Sequence, residues 1–227
     1  MSAPKKIILF LGAPGSGKGA LSRLCVEMFG WKQLSTGNLC RKHVSEGTEL
    51  GKQIDFAMKS GTLVSDEVII QMGTQWIDQE IKAVEALLLD GFPRTVAQAS
   101  GFLKFFGEKY PAVKLVVIEL RVPDREIIER LSARLVCSNK ECQAVFSTRI
   151  EKLKPRVAGV CDLCSSPLLQ RNDDKPEVVA SRLATYHQHC QKLVRFYESA
   201  GYVVHVIDGD RGNVEVFEAF LRHVGSA

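Results

Sequence analysis

Hydrophobic positions along this chain follow two alternating rhythms. The unbroken apolar run Ile7-Ile8-Leu9-Phe10-Leu11 is followed by a cluster of glycines. Leu21, Leu24, Cys25 and Met28 then recur at the i, i+3, i+4, i+7 spacing of an amphipathic helix. A run that is apolar at every position predicts a parallel strand buried on both faces. The strand rhythm returns at Ala86-Leu87-Leu88-Leu89, at Val113 to Leu120 and at Tyr202 to Ile207. Between these lie helical patterns. One opens at Ser65 with Ile69, Met72 and Trp76 inward, and another opens at Pro123-Asp124 with Ile127, Ile128, Leu131 and Leu135 inward. A long helix starts near Pro176, capped by Asp174 or a neighbour, and buries Val179, Leu183, Tyr186, Cys190, Leu193 and Tyr197. Asn213 caps a closing helix whose stripe is Val216, Phe217, Phe220 and Leu221. Strands alternating with helices predict a doubly wound α/β core.

Two excursions interrupt that core. In the first, Ser35 or Thr36 caps a helix carrying Leu39, Cys40 and Val44, and a second helix carries Leu50, Ile54, Ala57 and Met58. Their apolar stripes are thin, which predicts a small appendage. The second excursion holds Cys137-x4-Cys142 and Cys161-x2-Cys164. Two close pairs divided by a loop match the spacing of a four-cysteine zinc ribbon. The segment between them is too polar to bury four reduced thiols in an apolar core of its own, which favours a metal staple. Cys25, Cys40 and Cys190 sit on helical stripes and read as core. His205, inside the last strand, reads as a partly buried strand residue.

Composition narrows the classes. The chain has 227 residues, 25% charged and 45% hydrophobic, with a net charge of +4. That is room for one sizeable core with small appended subdomains. No apolar run approaches the roughly 20 residues needed to cross a bilayer. The first strand starts near Lys5, which leads us to expect no targeting segment and a cytoplasmic protein. Seven cysteines, an odd number, argue for a reducing compartment. The mild charge suits small anions and speaks against a nucleic-acid binder, whose basic stripe and interleaved aromatics are missing.

The chemistry gathers at four places. Gly12-Ala13-Pro14-Gly15-Ser16-Gly17-Lys18-Gly19 lies between strand and helix, as a phosphate loop does. Its glycines allow successive N–H groups to turn inward, and Lys18 adds a full positive charge. The strict pattern wants Ser or Thr after the lysine, whereas Gly19 and Ala20 follow here. Asp90, at the carboxyl end of a strand, either holds Mg²⁺ through its waters or serves as a turn residue. Arg94 is placed to grip a phosphate or carboxylate in bidentate fashion. Arg130 and Arg134 are spaced to share a helix face, where an anionic partner or solvent would relieve their repulsion. Taken alone, Thr36 reads as a cap and Arg41 as a surface charge.

The glycine loop, Ser35-Thr36-Gly37-Asn38, Asp90-Gly91-Phe92-Pro93-Arg94-Thr95 and Arg171-Asn172-Asp173-Asp174, in that order, closely resemble adenylate kinase over nearly the full length. The long cysteine-bearing insert resembles the zinc-binding lid of some members. The resemblance implies the P-loop nucleoside monophosphate kinase fold, a parallel sheet flanked by helices with two inserted mobile subdomains. The core would be 1–34, 64–136 and 171–227, the AMP-binding subdomain 35–63, and the lid 137–170. It implies reversible, Mg²⁺-dependent phosphoryl transfer from ATP to AMP, giving two ADP, by a monomer with neither nucleic-acid nor membrane partner. Gly12 to Ala20 with Lys18 would hold the donor phosphates, and Arg130 and Arg134 would clasp the donor. Thr36, Gly37, Arg41, Leu63, Val64, Gly91, Arg94 and Gln98 would bind AMP, with Gln98 reading the adenine edge. Arg171 and Arg182 would meet the phosphates between the nucleotides, and Asp90 would orient the Mg²⁺ waters. Cys137, Cys142, Cys161 and Cys164 would hold a structural Zn²⁺. Ala20 stands where the family usually has Thr, Asn38 where it has Asp, and Phe146-Ser147 where short-lid relatives have Tyr-His or similar. GTP as donor, a catalytically weakened nucleotide binder and a zinc-ribbon nucleic-acid binder are the competing readings.

Overall fold

The computed structural model describes residues 5–47, 49–60, 64–139 and 141–225, without the side chains of residues 50, 53, 58 and 60. Leu63, expected in the AMP pocket, lies outside the described residues, as do the side chains of Leu50 and Met58. The central sheet uses β1 (Lys6–Gly12), β2 (Lys32–Ser35), β3 (Ala86–Asp90) and β4 (Lys114–Arg121). An insert contributes β5 (Arg134–Cys137), β6 (Val145–Ser147) and β7 (Leu168–Leu169), and β8 (Val204–Asp208) returns to the main sheet. The five main strands are all parallel, in the order β2-β3-β1-β4-β8. β1 is therefore central, with Ile8 level with Leu88 on one side and Val116 on the other.

The two-residue period of a strand divides its side chains between two cores. Ile7, Leu9, Leu87, Leu89 and Val117 face one layer with Phe92, Phe102, Ile77 and Tyr197, while Ile8, Phe10, Leu88, Val116 and Ile118 face the other with Leu21, Trp31 and Phe220. The first layer is built from α4 (Asp66–Glu80), α5 (Val96–Lys109) and α7 (Pro176–Ser199), and the second from α1 (Lys18–Phe29) and α8 (Asn213–Val224). α2 (Thr36–Ser45) and α3 (Glu49–Ser60) form the first excursion, and α6 (Asp124–Ser132) leads into the second. The first excursion is tied in more firmly than its thin stripe suggests, because Cys40 and Ile54 join the principal core. No described helix is long and apolar enough to cross a membrane.

Several expectations need correction. β2 has no counterpart among the expected strands, since this edge strand buries only Leu34 and carries no apolar run. α5 is likewise additional; Thr95 caps it, accepting the Gln98 N–H at 3.1 Å. On α1 Met28 is 61% exposed, so the buried side is Leu21, Ser22 and Cys25. On α4 the buried positions are Ile69, Gly73 and Ile77, leaving Met72 and Trp76 half-buried. α6 ends at Ser132, so Leu135 is not on it, and Ile128 is exposed. The cap position of α7 falls on Lys175, the neighbour of Asp174, as expected, without a side-chain cap bond, while Asp174 itself turns into a buried ion cluster. Gly212 precedes α8 at its cap position, its N–H donating to Glu215 Oε2 at 3.1 Å.

The insert is an antiparallel sheet in the order β6-β5-β7. It does bury sulfur, against expectation. Cys137 and Cys161 are closed off by Ala144, Phe146 and Leu168. The apolar contribution is small, five buried residues, two of them the cysteines themselves.

Candidate active site

The crevice outside the carboxyl ends of β1 and β3 is where an open parallel sheet collects its functional groups. The loop after β1 begins with Gly12 at φ +143°, where an added Cβ would stand 2.7 Å from the Leu120 carbonyl oxygen. Only glycine lets the chain leave the strand there. α1 begins after Gly17 without any side-chain cap, so its first N–H groups remain available to an anion. Lys18 is buried, its Nζ donating to the carbonyls of Gly12 (2.8 Å) and Ala13 (2.7 Å) and lying 3.3 Å from Ser16 Oγ. Burial pushes its amine down to about 8; Asp90 opposes this, while Arg94, Arg182 and Arg134 reinforce it.

At the end of β3 the Asp90 carboxylate faces the start of α1, 3.7 Å from the position of a Gly19 Cβ, and accepts from Gln33 Nε2 at 3.4 Å. Gly91 has φ +80°, and a Cβ there would fall 2.6 Å from Thr36 Oγ1. That close approach lets the buried Thr36 hydroxyl donate to Gly91 O at 2.8 Å, tying the first excursion to β3. Arg94 Nε donates to the same carbonyl at 3.0 Å. Gln98 is 1% exposed. Its Oε1 accepts the Arg94 N–H at 2.7 Å and its Nε2 donates to Asp66 Oδ1 at 2.8 Å. Asp66 also accepts from Thr95 Oγ1. Val64 packs against the principal core.

The arginines converge on an acidic pair. Arg134 holds Asp174 by two bonds, Nε to Oδ2 (2.8 Å) and Nη2 to Oδ1, and Asp174 has no exposed surface. Arg182 Nη1 donates to Asp173 O at 2.6 Å and lies 3.2 Å from Asp173 Oδ2 and 3.4 Å from Asp174 Oδ1. Arg41 comes within 3.7 Å of Asp173 from α2, where it also bonds Asn38 Oδ1 above Gly37. Arg171 Nε is buried without a hydrogen-bond partner among the described residues. Burial, then Arg41 and Arg134, push its guanidinium down to about 9 against the pull of Asp173 and Asp174. Burial also lowers Arg41 and Arg182. For Asp173 burial raises the carboxyl, but Arg182, Arg41, Arg171 and Arg134 outweigh it and hold it below its usual value. More positive than negative charge is thus concentrated in a partly dry space, which favours a polyanion.

Arg130 and Arg134 do not share a helix face. Arg130 remains on α6 and faces the other way, donating to Glu126 Oε1 (2.9 Å), Gly209 O (3.0 Å) and Asp210 Oδ1 (3.2 Å). It walls a groove between the glycine loop and the start of α8, whose floor includes Ala20, Leu21 and Leu24. Asp173, Asp174 and Asp66 are carboxylates that hold candidate site residues in place and that sequence reasoning misses. For the first two the available signal is position, two adjacent acids that follow Arg171 after Asn172. Asp66 carries no signal beyond its place in a first helical turn.

In the insert the four thiols form a separate cluster. Each close pair sits in a tight turn, closed by Gln143 N–H to Asn139 O (3.0 Å) and by Ser165 N–H to Cys161 O (2.9 Å). Cys137 and Cys164 Sγ lie 3.3 Å apart, Cys142 and Cys161 Sγ 3.7 Å, and all four sulfurs fall within 4.8 Å of one another. Metal–sulfur bonds of about 2.3 Å give a tetrahedron with edges of about 3.8 Å, so this donor set fits Zn²⁺.

Residues 10–202 match the family model described as adenylate kinase. A protein of Caldicellulosiruptor saccharolyticus named adenylate kinase is 39% identical over 197 residues, 87% of this chain and 89% of that one. One of Methanosarcina mazei with the same name is 39% identical over 93% of this chain and 94% of its own length, and one of Lachnospira eligens is 35% identical over 96% and 99%. Agreement that runs from within β1 to beyond α7 makes this chain a member of the adenylate kinase family, and so a nucleoside monophosphate kinase.

Proposed function

We propose that this chain transfers the terminal phosphoryl group of Mg-ATP reversibly to AMP, giving two ADP, and that it works as a monomer. The observation that carries the reading is the convergence of Lys18, Arg41, Arg94, Arg134, Arg171 and Arg182 from separate segments on one crevice. Phosphoryl transfer asks little covalent chemistry of a protein. It needs two polyanions in line, with positive charge where the equatorial oxygens develop negative charge.

In this reading Gly12 to Ala20 cradle the donor phosphates, and Lys18 exchanges the Gly12 and Ala13 carbonyls for a phosphate oxygen. Arg130 lines the groove for the rest of the donor. Thr36, Gly37, Arg41, Val64, Gly91 and Arg94 surround AMP, and Gln98 reads its base by trading one of its internal bonds. Arg134 and Arg182 leave Asp173 and Asp174, and with Arg171 they turn to the phosphates that pass between the substrates. Asp90, beside Gly19, would hold the water shell of the Mg²⁺ that accompanies ATP. Residues 35–63 and 137–170 act as flaps over a core of 1–34, 64–136 and 171–227. Closing them excludes water, which would otherwise accept the phosphoryl group. Lid closure of this kind is an established property of adenylate kinases as a family. A coupled assay of ADP formation tests the reading; nucleotide binding without turnover would overturn it.

We also propose that Cys137, Cys142, Cys161 and Cys164 hold Zn²⁺ as a staple that makes the insert rigid. Cys161→Ser with Cys164→Ser should release one equivalent of metal and lower the melting temperature while leaving AMP affinity intact. Unchanged melting of the parent protein after chelation would contradict the staple.

A further inference from the structure

One carboxylate joins the insert to the wall of the donor groove. Glu126 Oε1 accepts from Arg130 Nε (2.9 Å), and the same residue is held on its other side by Arg149, Nη1 to Oε1 (2.7 Å) and Nη2 to Oε2 (3.0 Å). Arg149 belongs to the insert, two residues beyond β6, and Glu126 belongs to α6 of the core. Arg149 Nη2 also lies 3.0 Å from Glu129 Oε2, one helical turn along α6. Arg130 is meanwhile fixed at its far end by Gly209 O and Asp210 Oδ1. Its guanidinium is thereby aimed from both ends.

An exposed ion pair contributes little to stability, so stability alone would not require this one. Three features set Glu126 apart from a surface pair. It is only 21% exposed, it contacts two guanidinium groups, and those groups come from parts of the chain that must move relative to each other if the insert closes. Arg149, and then Arg130, hold its carboxyl at about 2 against burial, so it stays ionised throughout the neutral range.

We infer that Glu126 is a positioning residue for the donor nucleotide, orienting Arg130 at the groove while latching the insert to α6 through Arg149. The inference rests on the donor role proposed above for Arg130. It makes a movement of the insert register at the donor groove directly, through a shared carboxylate, and leaves the AMP side out of the coupling.

The test is steady-state kinetics of Glu126→Gln, Arg149→Met and the double variant, with ATP and AMP varied separately. Glu126→Gln keeps the size of the side chain and removes its charge. We expect the KM for ATP to rise about 5- to 20-fold, with the KM for AMP within twofold of the parent. The two substitutions should be non-additive in the KM for ATP, since they break one linkage. Glu126→Asp should recover part of the loss by restoring the charge. Equal changes in both KM values, or additive effects of the two substitutions, would assign Glu126 a structural role only and overturn the inference. Failure of the parent protein to form ADP would instead strike the proposed function, so the two failures are distinguishable.

Discussion

Lys18→Ala is expected to lower kcat by about 10²- to 10³-fold, the scale of losing one preorganised charge donor from a transition state. The amine already sits in the glycine loop, bonded among the described residues to neutral oxygens of that loop, the Gly12 and Ala13 carbonyls and Ser16 Oγ. A phosphate oxygen placed there would gain a charge-assisted bond that the carbonyls do not give. The same geometry predicts opposite signs for activity and stability. Burial lowers the folded-state amine from 10.5 to about 8, so the protonated form is the disfavoured one. For a depressed group the favourable contribution is present above the unfolded value and is lost as pH falls through about 8. At pH 7 the whole cost is therefore borne, roughly 3–4 kcal/mol at 1.4 kcal/mol per pH unit. Lys18→Met, which fills the same space without charge, should lose activity as Lys18→Ala does and melt no lower than the parent at pH 7. A kcat within threefold of the parent in either variant would contradict the assignment of Lys18.

Asp174→Ala should be the most damaging single change to stability, at about 3–5 kcal/mol, because it strands buried positive charge rather than exposing a surface pair. Asp174 has no exposed surface and receives two bonds from Arg134, with Arg182 3.4 Å away. Arg171 feels its charge as well, and its own Nε has no partner among the described residues. Chemical denaturation at pH 7 reads the effect as a fall in the unfolding midpoint. Asp174→Asn keeps the shape and should fall between parent and Ala variant. A loss under 1 kcal/mol in the Ala variant would show that the cluster does not depend on this carboxylate. If the Ala variant does not fold, the midpoint of the Asn variant decides the matter alone.

Legibility followed burial. β1 could be read because every interior position is apolar, and that pattern has one physical cause, a strand covered on both faces. β2 could not, because an edge strand needs only Leu34 inside and its remaining positions are polar. The α6 boundary failed for another reason. The apolar spacing runs on through Leu135, but the chain has already turned at Ala133 into β5, where Leu135 packs into the insert. That turn separates Arg130 from Arg134 and sends one to the groove beside the glycine loop and the other to Asp174. Residue identities alone located the glycine loop and the thiol spacing, since these chemistries are local. The pairing of Arg134 and Arg182 with Asp174 joins three segments, and no local pattern carries it. Gln98 illustrates the same limit. Its role at the adenine edge is implied by the resemblance, whereas the internal bonds to Arg94 and Asp66 depend on how α4 meets α5.

The central claim is that dispersed guanidinium groups are drawn around one polyphosphate when the two excursions fold over it. Small-angle scattering with and without two adenosines bridged by five phosphates tests this most directly, because that ligand spans both nucleotide sites at once. The account predicts saturable binding and a smaller radius of gyration in the complex. Absence of binding, or binding with an unchanged radius, would contradict it.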